Sequence, residues 1–548
     1  MTTETTPAMG PLTTGDEVTE VADVLVIGAG FAGMYAVHAA VERGWRTIGI
    51  EAGLDVGGTW YWNRYPGARC DVESVDYSYS FDPELEQEWV WSERYATQPE
   101  IHAYAQHVAD RYDLRRHFRF GERVLSATFD EDDATWTIRT DAGRVAQGRW
   151  LICATGSLSS PNRPDIPGLD DFRGDVLMTA QWPEEGYDVT GKRVGVIGTG
   201  SSGIQATPIL AESAARLTVF QRSPNFSVPA FNRPHTEEEL EEIRRTYRER
   251  RAKSFAGGGG SPHQAYPKSI WEVDEDERNA AFEARWREGG VLFSKTFNEQ
   301  FVDQAANDLA REFAVAKIRE IVRDPQTAED LIPTDHPIGT KRICTDSGYY
   351  ATFNRDNVEL VNLRRDPIEA VTEWGVKTRD GAYELDVLVL ATGFDAMTGS
   401  FTKIDVRGPR GDVLADAWAD GPVTHLGVAV PGFPNFFTIT GPGSPSVLIN
   451  MVLAAEQQVD WIYELIDRCD RDGHRLVEAR LDAARQWGDY LDELANGTLF
   501  VKANSWYMGA NIEGKARGFM PFVAGFAAYI ERCNECRDVG YAGFVLGS

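Results

Sequence analysis

The chain has 548 residues, of which 42% are hydrophobic and 25% charged, and it carries a formal net charge of −29. A chain of this length makes roughly three or four domain-sized units, and no apolar run is long enough to span a bilayer, so a soluble globular protein with no membrane partner is expected. The acidic residues are spread along the chain rather than gathered in a tail, which argues against a surface for nucleic acid. Any anionic cofactor must therefore meet a local basic cluster.

Residues 1–21 are rich in Thr and Glu and have neither a basic start nor an apolar stretch. They predict a flexible arm without a targeting signal, and with it a cytoplasmic protein. Val24–Ile27 is a short apolar run that ends in Gly28. An Ala-rich amphipathic segment follows to Arg43, and then a second strand-like run, Thr47 to Ile50. This is a βαβ pattern. It returns at Arg193 to Ile197, continues through a helical stretch to about Ala215, and closes with Leu217 to Phe220. Between about 232 and 335 charged helical segments predominate, broken by the Gly257 to Gly260 run, and predict a mostly helical insertion with one flexible loop.

Two further apolar runs share one ending, Trp150–Cys153 before Ala154-Thr155-Gly156 and Val387–Leu390 before Ala391-Thr392-Gly393. Paired endings of this kind predict that the chain passes twice between two nucleotide-binding units. The expected class is α/β, a two-dinucleotide-binding flavoprotein with two Rossmann-like domains. One domain comprises residues 22–157 and 395–548, and the other, 158–394, is inserted within it. Six cysteines in so long a chain predict a reducing compartment, and the Cys533/Cys536 pair reads as structural.

Each βαβ pattern carries a G-x-G-x-x-G turn, in which glycines let backbone N–H groups approach a pyrophosphate at a helix N-terminus. The first is Gly28-Ala29-Gly30-Phe31-Ala32-Gly33, and Glu51 ends its second strand, where a carboxylate can accept from a ribose hydroxyl. The second is Gly198-Thr199-Gly200-Ser201-Ser202-Gly203, and the matching position is Gln221, followed by Arg222 and Ser223. A cation and a hydroxyl suit a 2′-phosphate, which a carboxylate would repel. This contrast assigns FAD to the first turn and NADPH to the second.

Longer motifs now carry a resemblance. Gly57-Gly58-Thr59-Trp60 runs into Tyr65-Pro66-Gly67-Ala68-Arg69-Cys70-Asp71. Phe172-Arg173-Gly174 leads through Met178 to Trp182-Pro183, and Gly339-Thr340-Lys341-Arg342 precedes Asp346 to Tyr350. Together they resemble the type I Baeyer-Villiger monooxygenases, in particular the phenylacetone and steroid monooxygenase branch, from about Val24 to Phe544. Met178 stands where the family's F-x-G-x-x-x-H-x-x-x-W-P pattern has His, a residue whose donor and titrating proton Met lacks.

The resemblance implies that Gly58, Thr59, Trp60, Asp71 and Met451 sit around FAD. Lys341 joins Arg222 and Ser223 on the 2′-phosphate, and Trp506, in Ala503-Asn504-Ser505-Trp506-Tyr507, contacts NADP. It places Ser446, Val447, Leu448 and Met520 in the substrate pocket, and makes Arg342, oriented by Asp71, the catalytic pair. The reaction it implies inserts one oxygen atom of O2 beside an aryl, cyclic or steroid-like ketone carbonyl, through a flavin C4a-peroxide and a Criegee adduct, with sulfides also oxidised and the enzyme a monomer. No metal is expected. Three alternatives stand beside it: a flavin monooxygenase oxidising nitrogen or sulfur, a flavin disulfide reductase, and a non-catalytic dinucleotide sensor.

Overall fold

The computed structural model describes residues 18–547. Two sheets organise it. In the first, of eight strands, Glu20–Ile27 lies between Thr47–Glu51 and Val145–Cys153, all parallel, and Phe436–Thr438 adds a further parallel strand beside Val145–Cys153. The second has five strands, all parallel, in the order Val358–Asn362, Arg216–Gln221, Arg193–Ile197, Val387–Leu390, Asp175–Met178. The central strands bury both faces, which is why they read in sequence as unbroken apolar runs.

Strands of the first sheet come from before Ala154 and after Thr402, whereas every strand of the second lies between Asp175 and Asn362 or at Val387–Leu390. The chain thus leaves the first sheet, builds the second, and returns. The return brings the helix Met451–Asp472 against Phe31–Glu42, the helix of the first turn.

Between residues 232 and 335 the structure has the helices Glu237–Ala256, Glu275–Glu288, Gln304–Ile321 and Pro325–Leu331, and no strand. The first begins at a capping box in which Thr236 and Glu239 exchange side-chain and backbone bonds, a local signal visible in sequence. Two expectations are corrected. The Gly257–Gly260 loop is not free: Gly259 O accepts from Asn450 N at 3.1 Å and Gly258 O from Phe526 N at 3.0 Å. The N-terminal arm ends earlier than residue 21, because Glu20 and Val21 already pair with Ala146 and Gln147. The rest of that arm, residues 1–17, lies outside the described residues. Three antiparallel features were not foreseen, the hairpin strands Val124–Asp130 and Thr135–Thr140, the three-stranded sheet formed by Ile368–Thr372, Gly375–Thr378 and Ala382–Glu384, and the pair Leu476–Ala479 with Phe544–Gly547.

Candidate functional site

Gly28 follows the strand Glu20–Ile27 with φ +104°, and a Cβ there would lie 2.6 Å from Ala154 O, so the turn accepts glycine alone. Gly30 and Gly58 face each other closely: a Cβ on Gly58, at φ +54°, would come within 2.7 Å of Gly30 Cα. The helix Phe31–Glu42 has no side-chain cap and no acidic residue in its first turn, which leaves its N-terminal N–H groups for an anion. Glu51 closes the turn from below. Its Oε2 accepts from Ala29 N at 2.7 Å and its Oε1 from Gly53 N at 2.6 Å, so the carboxylate holds the loop as well as facing a ribose position. Trp60 is buried, donates through Nε1 to Tyr77 OH at 3.1 Å and accepts at its carbonyl from Gln98, while Thr59 is exposed.

The second turn repeats this architecture. The helix Ser201–Ser213 is again uncapped and free of acids in its first turn, and the space beside Gly200 is open. Ser201 is exposed and Ser202 half-buried, whereas Thr199 is buried and donates through Oγ1 to Ser223 O at 2.8 Å. Its side chain therefore fixes the next strand end, and only its backbone remains for a ligand. Gln221, the counterpart of Glu51, donates to Asp330 O, and its buried Oε1 has no hydrogen-bond partner among the described residues.

Around Ser223 the expected basic cluster is present and larger than the sequence indicated. Arg222 is exposed. Arg364 Nη2 donates to Ser223 Oγ at 3.1 Å and also pairs with Asp335. Lys341 Nζ lies 3.7 Å from the same Asp335 carboxylate. Burial lowers the Lys341 pKa, and Arg364 and Arg222 add to this while Asp335 opposes it. Lys341 and Arg364 share one carboxylate with the exposed Arg222 close by, a balance that an added phosphate would complete. Arg364 was missed because it sits in an ordinary Leu-Arg-Arg run after the strand Val358–Asn362, and only the parallel register of that strand beside Arg216–Gln221 brings it to Ser223.

The two turns are joined by the loop that carries Asp71. Tyr65 OH donates to Gln205 Oε1 at 2.8 Å, Gln205 Nε2 to Arg69 O at 3.2 Å, and a Cβ on Gly67 would meet Gln205 O at 2.5 Å. The segment thus packs on the helix of the second turn and brings Asp71 to Arg342. Arg342 donates through Nε to Asp71 Oδ2 at 2.6 Å, through Nη2 to Oδ1 at 2.9 Å and through Nη1 to Val447 O at 2.8 Å. Burial works against its charge, but the field and hydrogen bonds of Asp71 outweigh it and hold the guanidinium charged beyond its ordinary range. The phenol of Tyr507 lies in the same surroundings. Burial pushes its pKa up to about 12, against the pull of Arg342.

Leu448, assigned to the pocket, and Met451, assigned to FAD, are half-buried and belong with Trp506 to an apolar cluster that includes Tyr507, Phe519 and Met520. Val447 and Met520 are nearly covered, and Val447 contributes its carbonyl to Arg342. Ser446 does not line a cavity as expected. It has no open surface, and its hydroxyl donates to Thr440 O at 2.8 Å, which fixes a backbone at φ +45°. Met178 lies half-buried at the edge of the apolar cluster formed by Leu169, Phe172, Ile197 and Phe220. Cys533 and Cys536 are free thiols on the helix Phe526–Asp538; burial pushes both up to about 12, which makes them poor redox groups.

Both turns thus fit dinucleotides, through paired glycines, bare helix N-termini and, at the second, the cations around Ser223. Comparison with known proteins agrees. Residues 25–256 match the family described as pyridine nucleotide-disulphide oxidoreductase. The chain is 41% identical to a Baeyer-Villiger monooxygenase of Pseudooceanicola batsensis over 95% of its own length and 96% of the relative's. Among solved structures, it is similar to an oxidized steroid monooxygenase bound to NADP, with 55% identity, TM-score 0.92 and coverage of 96% of this chain and 99% of that one. It is also similar to OTEMO in complex with FAD and NADP, with 41% identity, TM-score 0.93 and coverage of 96% and 99%.

Proposed function

This chain belongs to the Baeyer-Villiger monooxygenases, flavoenzymes dependent on FAD and NADPH, and from that membership we propose that Arg342, oriented by Asp71, is its catalytic cation. The observation that carries the assignment is the Arg342–Asp71 pair itself. It is bidentate and deep in the molecule, yet it keeps 26% and 21% of its side-chain surface open. FAD would be held by Gly28, Gly30, Gly33, Gly58, Glu51 and the Trp60 segment. NADPH would be held by Gly198 to Gly203, with Arg222, Ser223, Lys341 and Arg364 around its 2′-phosphate.

The chemistry supplied by the two cofactors, when bound, is two-electron reduction and activation of O2 towards a carbonyl. What the chain adds is a fixed positive charge. The Nη1 and Nη2 groups of Arg342 each keep one N–H beyond the bonds to Val447 and Asp71, and these N–H groups can stabilise negative charge developing on the ketone oxygen without reorganising. Asp71 fixes the guanidinium plane and balances its charge between turnovers. Leu448, Met451 and Trp506 supply apolar walls that exclude water.

For the substrate, the reading extends to aryl and steroid-like as well as cyclic ketones, supported by the likeness to a steroid monooxygenase. Free thiols at all six cysteines support a reducing, cytoplasmic setting. The test is Arg342→Ala in rapid-mixing absorbance with product analysis. Reduction by NADPH should still be seen, while ester formation from O2 and ketone falls by on the order of 10³-fold or more. Undiminished ester yield would refute the role, and oxidation of an amine or sulfide without any ketone turnover would favour the nitrogen- or sulfur-oxidising alternative.

A further inference from the structure

The helical insertion delivers one more cation to the interior. The segment Gly290–Lys295 is pinned by Phe293 and Phe297, both fully buried in a ring cluster with Phe282, Trp286, Phe313 and Tyr266. Lys295, between these two anchors, is exposed, yet protein surrounds it closely enough for desolvation to lower its pKa. A lysine enclosed by protein on nearly all sides but not covered faces an internal space.

Its neighbours show which space. A Cβ on Gly259 would stand 2.8 Å from Lys295 Nζ. Gly259 O holds Asn450 N, and Asn450 caps the helix that begins with the half-buried Met451. Ser294, the preceding residue, packs on Gly339 of the segment that carries Lys341 and Arg342. Lys295 thus lies between the Gly257–Gly260 loop and the Arg342 loop.

No carboxylate pairs with Lys295 among the described residues, although the chain has 84 Asp and Glu. Its one resolved charge interaction is repulsive, with Arg342, and burial together with that repulsion pushes it down to about 8. A lysine without an anionic partner, beside a guanidinium that repels it, favours the entry of an anion. The cofactors do not need it, since the 2′-phosphate has Arg222, Lys341 and Arg364 and the pyrophosphates have the two helix N-termini.

We propose that Lys295 is a recognition point for an anionic group on the ketone, so that the substrates of this enzyme include ketones bearing a carboxylate. The inference rests on the proposed role of Arg342 at the ketone site. Calorimetry on the oxidised, NADP+-loaded holoenzyme would compare 4-oxocyclohexanecarboxylate with cyclohexanone in the wild type, Lys295→Met and Lys295→Arg. The expected result is that Lys295→Met lowers the carboxylate-to-neutral affinity ratio roughly tenfold or more and Lys295→Arg restores most of it. An unchanged ratio overturns the proposal. A loss of NADP+ affinity with the ratio constant also overturns it, by making Lys295 a cofactor contact. Binding of the keto carboxylate that depends on Lys295, without ester formation from either ketone, would leave the anion site standing and remove the reaction assigned to the cavity.

Discussion

Two buried arginine–carboxylate pairs, Arg342–Asp71 and Arg251–Glu86, have the same chemistry and opposite surroundings. Arg251, on the helix Glu237–Ala256, is 4% exposed and Glu86 2%. It donates to Glu86 Oε1, Asp76 O, Ser78 O, Ser78 Oγ and Tyr79 O, which takes the Nε–H, both N–H groups of Nη2 and one on Nη1. Among the described residues Arg342 bonds Asp71 and Val447, has Tyr507 beside it, and keeps open surface. A guanidinium without open surface ties the insertion helix to the first domain's loops, whereas one with spare N–H groups and open surface is available to a ligand. Burial alone does not separate structure from chemistry; the unspent donors do.

The strongest way to break this comparison is to remove both cations. Arg251→Met leaves Glu86 buried and unpaired and should destabilise the fold by about 3–5 kcal/mol, while folded enzyme turns over at the wild-type rate. Arg342→Met should cost clearly less stability, since Asp71 keeps access to the cavity, and should abolish ketone oxidation. Chemical denaturation alongside ester formation per folded molecule would decide. Equal stability losses with equal activity losses would mean that the open surface at Arg342 has no functional meaning.

A smaller effect sharpens the same idea at the second turn. Arg364 bonds Ser223 and Asp335, so its charge is shared rather than saturated. Arg364→Ala should weaken NADPH binding about tenfold, near 1.4 kcal/mol, and leave NADH binding almost unchanged. Titration with 2′,5′-ADP and 5′-AMP would isolate the contribution, and equal losses for both ligands would exclude a contact with the 2′-phosphate.

Much of this was legible in the sequence because local motifs encode local geometry. Gly28 to Gly33 and Gly198 to Gly203 sit at strand-to-helix turns, and Glu51 against Gln221 separates the two sites by charge. Asp71 and Arg342 could be paired only through the family resemblance, being 271 residues apart. What could not be read depends on registers and packing between distant segments. Arg364 reaches Ser223 through a parallel strand pairing, and Lys295 reaches Gly259 from a segment held by the ring cluster beside it. Ser446 went the other way. Its place in a pocket loop was visible, but not that Thr440 O would take its hydroxyl.

The subtlest test concerns a buried charge held by dipoles alone. Glu456, on the helix Met451–Asp472, is fully enclosed and accepts from Ser80 N at 2.7 Å, Phe81 N at 3.1 Å and Ser80 Oγ at 2.6 Å, with no cation bonded to it. Burial raises its pKa from 4.5 to about 7, despite the opposing hydrogen bonds and the more distant Arg251. Between those two values the folded state binds a proton that the unfolded chain has released, so the stability from this group is present below 4.5 and lost as pH rises through about 7. Glu456→Gln can keep the three contacts, with the amide oxygen accepting both N–H groups and its NH2 donating to Ser80 Oγ. Relative to wild type, the variant should gain on the order of 1 kcal/mol in stability between mildly acidic and mildly alkaline pH. A difference that stays flat with pH would mean that Glu456 does not titrate in the folded protein, and that its dipoles serve as fully as the arginine serves Glu86.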